Sequence, residues 1–453
     1  MSGLTQALAR YVAKPTFGTR EADACELART GFVDTIATMF AGGGEDVARI
    51  ALAHYGAGAG PAEAPVPFAG RMLPAPQAAC VNATAGHALD YDDVALSGHT
   101  STVFVPAILA EGHVLGSSGA EALRAYVVGY EVWAELFGRE PDQYHLKGWH
   151  PTGVFGTVGA AAAVAFLHRL DEPTARTALA IAASMASGLV ANFGTMTKPL
   201  HAGRAAAAAI EAVRLAKLGL TAAPDVFEHR AGYLTALSPA GRADRERPAS
   251  GLGGDPRILQ TRLSIKRYPV CYSGHRTIDG VLEIAQRENL APADVRRVRV
   301  TIGPAQASML RNRRPRTGLE AKFSAEFAVA APLVARRVGL AELTDAFVLR
   351  EDVQRLLEKV EVAVDERPCP IDPAFGYADR VVVETVGGRT FDSGEIRFPL
   401  GNAMRPLAAG DLRQKFMDCV AAGTGGVAID GPALYERLDA LETLPSVRTL
   451  FAG

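Results

Sequence analysis

Aromatic side chains are scarce in this sequence, 7% of 453 residues, while small residues such as its 46 glycines abound. That balance disfavours a β-sandwich core and favours closely packed helices. Net charge is nearly absent as well: a formal -2 leaves no footprint for nucleic acid or for an anionic membrane surface. The five cysteines, Cys25, Cys80, Cys271, Cys369 and Cys419, are odd in number, scattered, and form no C-x-x-C pair. A disulfide framework, a zinc ribbon and a cluster-binding loop are thereby disfavoured, and a reducing, cytoplasmic setting is expected. No long hydrophobic run is present either. The longest apolar tract, Gly153 to Leu167, is shorter than the roughly 20 residues of a membrane span and reads as a buried helix. Met1 to Phe17 lacks the apolar core and cleavage site of a signal peptide. G-x-S-x-G, H-E-x-x-H and G-x-x-x-x-G-K-[ST] are all missing, and Gly251 to Asp255 lacks the strand-to-helix context of a dinucleotide fingerprint. With those chemistries set aside, general acids, general bases and cationic anchors remain.

A hydrophobic content of 48% over this length supports a large core and two or three domains. Up to about Ser250 the periodicity predicts helix after helix: Glu21 to Phe40, Val47 to Tyr55, Gln77 to Asp90, Val103 to Leu115, Glu121 to Phe137, Thr152 to Leu167, Glu172 to Leu189 and Pro199 to Leu218. Pro61 to Pro76 reads as a Pro-rich connection, and Ser238 to Asp255 as a linker. Beyond it the pattern changes. Val295 to Ile302 alternates as a strand, Glu361 to Asp365 reads as another, and Arg380 to Ile396 as a hairpin about Gly387-Gly388. Helices are expected among them at Ile278 to Glu288, Phe323 to Val338 and Arg350 to Lys359, making an α+β module. From Leu407 the chain turns helical again, through Asp411 to Ala422 and Pro432 to Leu441. No internal repeat is evident.

Four stretches carry candidate chemistry. In Lys198-Pro199-Leu200-His201-Ala202-Gly203-Arg204, Pro199 suits the first position of a helix, so Lys198, His201 and Arg204 cluster at a positive dipole end. This is either a carboxylate or phosphate cradle or a solvated basic helix start. His87-Ala-Leu-Asp-Tyr-Asp-Asp93, followed by His99, puts three carboxylates at a helix C-terminus, where the dipole opposes them and mutual repulsion raises at least one carboxyl pKa. Asp90 with His99 suits proton transfer, caps and surface charges being the plain alternative; the glycine spacing of a calcium loop is absent. His150, before Pro151, places an imidazole at a helix start, a position more often structural. The loop Lys266-Arg267-Tyr268-Pro269-Val270-Cys271-Tyr272-Ser273-Gly274-His275 joins cations, a thiol and a histidine, with Cys271 more simply read as an inert buried thiol.

Taken together, His87 to Asp93 with His99, Gly148-Trp-His-Pro-Thr-Gly153, Thr197 to Arg204 and Lys266-x-Tyr-Pro-x-Cys-Tyr-x-x-His275 resemble the MmgE/PrpD family over nearly the whole chain. Its members dehydrate 2-methylcitrate, decarboxylate cis-aconitate or epimerise iminodisuccinate. The resemblance implies a mainly α fold: a large all-helical domain formed by both chain ends (1–262 and 402–453) and a smaller inserted α+β lid domain (263–401). It further implies an active-site cleft where they meet, a homodimer, a small carboxylate substrate, and neither metal nor other cofactor. Carried over by motif, the catalytic positions are Asp90, His99, His150, Lys198 and Lys266. His201, Arg204, Cys271, Tyr272 and His275 are expected to bind substrate. Cys271 stands where the animal decarboxylases carry a histidine, Phe327 replaces a tyrosine, and the loop between Asp93 and His99 is one residue shorter. The Cys-Tyr-x-x-His pattern resembles the epimerase branch. The resemblance thus implies a lyase acting by proton abstraction beside a carboxylate, with an epimerase or a non-catalytic carboxylate-binding protein as alternatives.

Overall fold

The computed structural model describes residues 3–58, 60–370, 376–423 and 427–452. They divide into two compact units, Met1–Leu263 with Ala409–Gly453, and Ser264–Ala408. The fold is mainly helical with small sheets.

In the first unit the order is α1 (Leu4–Ala13), α2 (Glu21–Gly42), α3 (Asp46–Tyr55), β1 (Ala64–Val66), β2 (Arg71–Leu73), α4 (Ala75–Ala88), α5 (Ser101–Leu115), α6 (Gly119–Phe137), α7 (Pro151–Leu167), α8 (Glu172–Met185) and α9 (Thr197–Lys217). The chain returns to this unit as the helices Ala409–Ala422, which packs on α2, and Gly431–Asp439. Helix α7 is buried on every side, which its Gly and Ala content permits and its lack of charge requires. It packs against α6 and α9, and α9 in turn lies along α4. The α4–α9 approach depends on missing side-chain volume: a Cβ on Gly203 would stand 2.1 Å from Thr84 Oγ1 and 2.5 Å from the Cys80 carbonyl. Helix α6 starts on a capping box, Ser118 accepting from the Glu121 N–H while Glu121 accepts from the Ser118 N–H.

Three expectations shift here. The Pro-rich connection contains an antiparallel β1–β2 hairpin, Ala64 opposite Leu73. Helix α8 stops at Met185, four residues early, because the following chain pairs with the segment before α7: His150 N–H donates to the Gly188 carbonyl at 3.0 Å, and Trp149 bridges Leu189. Helix α9 begins at Thr197, so Pro199 occupies its third position and Lys198 lies within the first turn.

The second unit carries a four-stranded sheet in the order β4-β3-β5-β6, from β3 (Val295–Ile302), β4 (Val360–Val364), β5 (Arg380–Thr385) and β6 (Thr390–Asp392). Strand β3 runs parallel to β4 and antiparallel to β5. Its buried Val295, Val298, Val300 and Ile302 join a core with Ile278, Val281 and Ile284 of the helix His275–Arg287 and with Val329 of Ala325–Ala335. In neither unit is a described helix long and apolar enough to cross a membrane.

Candidate active site

The first unit gathers Asp90, His99, His150, Lys198 and His201 around the C-terminal end of α4. That helix ends at Ala88, and the chain then reverses through Asp90, whose φ of 52° is a left-handed conformation that costs a non-glycine residue about 1 kcal/mol or more. Because of this reversal the neighbouring carboxylates diverge. Asp90 meets α9, Asp92 turns under the histidines, and Asp93 turns to Ser101 of α5.

Asp92 is the hub. Fully buried, it accepts from His87 Nδ1 at 2.9 Å on one oxygen and 3.1 Å on the other, and His99 Nδ1 lies 3.0 Å from Oδ2. The hydrogen bond to Asp92 holds a proton on His87 Nδ1 and leaves its Nε2 as the basic nitrogen, while His99 Nδ1 faces the same carboxylate. Burial alone would raise the Asp92 carboxyl, but the His87 and His99 imidazoles together bring it far below the usual carboxylate range. His87 Nε2 is buried and meets no hydrogen-bond partner among the described residues, and the His87 and His99 rings lie 4.2 Å apart.

Lys198 supplies the positive charge. Its Nζ donates to Asp90 Oδ1 at 2.8 Å and stands 5.1 Å from the Phe193 ring centroid. His99 Nε2 is 3.6 Å from the same carboxylate oxygen, beyond hydrogen bonding. Thus the lysine expected to form an anion cradle is held by an aspartate. On the far side, His150 caps α7, with its Nδ1 3.1 Å from His201 Nδ1. Burial, then the Lys198 ammonium, keeps His150 well below the ordinary imidazole range. Burial likewise lowers His87 and His201 to about 4 each. At neutral pH these three imidazoles are therefore uncharged and available as bases or neutral donors. A Cβ on Gly153 would stand 2.0 Å from the Ser187 carbonyl, so this glycine is what lets the start of α7, and His150 with it, reach the 187–188 segment.

Arg204 is not part of this cluster. It is exposed and lies beside Tyr55 of α3. Lys266, Cys271, Tyr272 and His275 belong to the second unit, where all but Tyr272 are buried. There Tyr272 Oη accepts from Asn402 Nδ2 at 2.7 Å, the Cys271 N–H donates to the Lys322 carbonyl at 2.9 Å, and the His275 ring stands 5.0 Å from that of Tyr272. A separate cavity of 590 Å³ in that unit is lined by Arg267, Tyr268, Asp279, Arg336 and Arg405 and by none of these four residues.

Two members of the site, His87 and Asp92, lie in the His87 to Asp93 motif, whose sequence alone does not mark their roles. The signal was there, since an imidazole one helical turn before an acidic run invites such a pairing. His87, Asp90, Asp92 and His99 offer ligand atoms within 4.8 Å of one another, a donor set that suits a divalent ion. In the arrangement observed, both Nδ1 atoms face Asp92, and Lys198 already places a cation on Asp90.

The MmgE/PrpD N-terminal domain matches residues 6–246, and the MmgE/PrpD C-terminal domain matches residues 268–427. Among curated relatives, cis-aconitate decarboxylase from Homo sapiens is 32% identical over 359 residues, covering 76% of this chain and 72% of that protein. The Mus musculus enzyme of the same name is 31% identical over 360 residues, 76% of this chain and 71% of the relative. That from Aspergillus terreus is 27% identical over 327 residues, 66% and 65% respectively. With both family domains matched in order across most of its length, the chain belongs to the MmgE/PrpD family.

Proposed function

We propose that this protein is a metal-free lyase that dehydrates or decarboxylates a small di- or tricarboxylate, working as a cytoplasmic homodimer. The observation that carries the reading is the buried group in which Lys198 is bonded to Asp90 beside two imidazoles oriented by Asp92. Its relatives named cis-aconitate decarboxylase support the lyase class and make cis-aconitate the first substrate to test.

Loss of carbon dioxide, or removal of a proton next to a carboxylate, leaves an electron pair that spreads into that carboxylate. A fixed cation lowers the energy of the resulting dianion. In this reading an incoming carboxylate displaces Asp90 from Lys198, and Asp90 and His99 become the proton acceptors. In dehydration the abstracted proton is relayed through His150, backed by His201, to the departing hydroxyl, which leaves as water; in decarboxylation the carbanion takes a proton from water through His150, whose neutral ring gains one proton as it gives up the other. Lys266 is the second cation that the family motif assigns to substrate carboxylates.

A second reading, epimerisation, begins with the same carbanion but returns the proton to the opposite face; the Cys271-Tyr272 sequence favours it. A proton NMR screen of cis-aconitate, 2-methylcitrate and iminodisuccinate in deuterated buffer separates the two. Net loss of carbon dioxide or water supports the lyase. Deuterium exchange with no net loss sinks it, and saturable binding without any turnover leaves only a carboxylate-binding protein.

A further inference from the structure

A buried lysine from the last part of the chain lies under the reactive loop. Lys415, on the helix Ala409–Ala422, donates to Asp34 Oδ1 of α2 at 2.6 Å and to the Tyr91 carbonyl at 2.8 Å. Its Nζ also sits 4.0 Å from the Tyr91 ring centroid. Asp34 is fully buried and Lys415 nearly so. Asp34 thus fixes the ammonium that grips the peptide group before Asp92, through the carbonyl of Tyr91.

The gripped segment needs holding. Asp90, Leu96 and Ser97 have φ values of 52°, 50° and 57°, so one short loop contains three left-handed residues, none of them glycine. Such conformations persist only where surrounding contacts over-determine them. On the Asp93 side the hold continues through Ser101, which donates to the Asp93 carboxylate and lies 2.6 Å from Tyr126 Oη. The Lys415–Asp34 pair touches none of the imidazoles, so its influence on them passes through the backbone at Asp92.

We propose that Lys415 and Asp34 are positioning residues: they brace the backbone at Tyr91, next to the left-handed Asp90, so that Asp92 stays aligned on His87 and His99. The inference rests on the proton-transfer role given to that site. A brace of this kind affects turnover more than binding, because a misplacement of about 1 Å in an acid–base group costs up to about 100-fold.

The test is the double variant Asp34→Asn/Lys415→Met, which removes both buried charges together and so avoids leaving one unpaired. Two readouts are needed: steady-state kinetics on the active substrate, and the low-field proton NMR signals of the His87 and His99 Nδ1–H groups. The expected result is a folded protein with kcat lowered about 10- to 100-fold, KM within about threefold of wild type, and both signals shifted or lost. Should the double variant not fold, Lys415→Ala with added ethylammonium serves instead, and recovery of both kcat and the signals is expected. Unchanged NMR signals overturn the brace whatever the kinetics show, as does an absence of ethylammonium rescue. Because the NMR arm needs no substrate, it decides the brace even if the lyase reading fails.

Discussion

Replacing Asp92 by asparagine removes one formal charge and almost no volume, yet it attacks the part of the site on which two imidazoles depend. The carboxylate meets His87 Nδ1 at 2.9 and 3.1 Å and His99 Nδ1 at 3.0 Å. An amide offers one oxygen acceptor and an NH2 group with two N–H donors, so it cannot face both Nδ1 atoms as the carboxylate does. At least one ring must give up its bond or adopt the other tautomer, which converts its Nε2 from base to donor. An amide behind a catalytic imidazole lowers kcat by about 10⁴ in serine proteases, and general acid–base groups contribute about 10² to 10⁴. A loss of about 10² to 10⁴ in kcat is therefore expected for Asp92→Asn. Stability responds less: each charged hydrogen bond lost costs about 1.5–3 kcal/mol, offset by relief from burying the charge, for a net fall of at most about 3 kcal/mol. The assay is kcat under saturating substrate beside a urea melt. A folded Asp92→Asn protein with kcat within about threefold of wild type would refute the reasoning.

Two further outcomes follow from the same geometry. Burial holds folded His87 at about 4, while an unfolded histidine titrates near about 6.5. Between those values the unfolded chain binds a proton that the folded one does not. The His87 contribution is thus fully present above about 6.5 and is lost as pH falls through the window, by about 2 kcal/mol at pH ~5. His87→Gln should shrink the difference in unfolding free energy between pH ~7.5 and ~5 by that amount, and an unchanged difference contradicts the assignment. Exhaustive dialysis against a chelator is expected to leave kcat unaltered; loss of activity reversed by a divalent ion would instead assign an ion to His87, Asp90, Asp92 and His99.

The bounds of strand β3 were legible because Val298, Val300 and Ile302 alternate in step with the pleat, the register shifting only between Val295 and Arg297. Most helices of the first unit were legible too, from apolar spacing and from the small residues that pack α4 on α9. The site was legible as motifs, since contiguous residues such as His87 to Asp93 sit at the end of one helix. What hid from sequence was direction. Asp90, Asp92 and Asp93 look alike on the page, and only the left-handed turn at Asp90 sends them to a lysine, two imidazoles and a serine. Pro199 suits the first helical position in sequence, yet α9 begins two residues earlier, at Thr197. Lys415 lies 324 residues from Tyr91, and no local pattern predicts so distant a contact.

The central claim is that Lys198 stabilises a carbanion formed on a small carboxylate in this buried site. Its most direct test is proton NMR of the three candidate substrates in deuterated buffer, with wild type and Lys198→Met in parallel. The account predicts net loss of carbon dioxide or water by wild type, solvent deuterium in any product carbon protonated by the enzyme, and turnover in Lys198→Met lowered at least about 100-fold. Turnover undiminished in Lys198→Met, or exchange by wild type with no net loss, would contradict it.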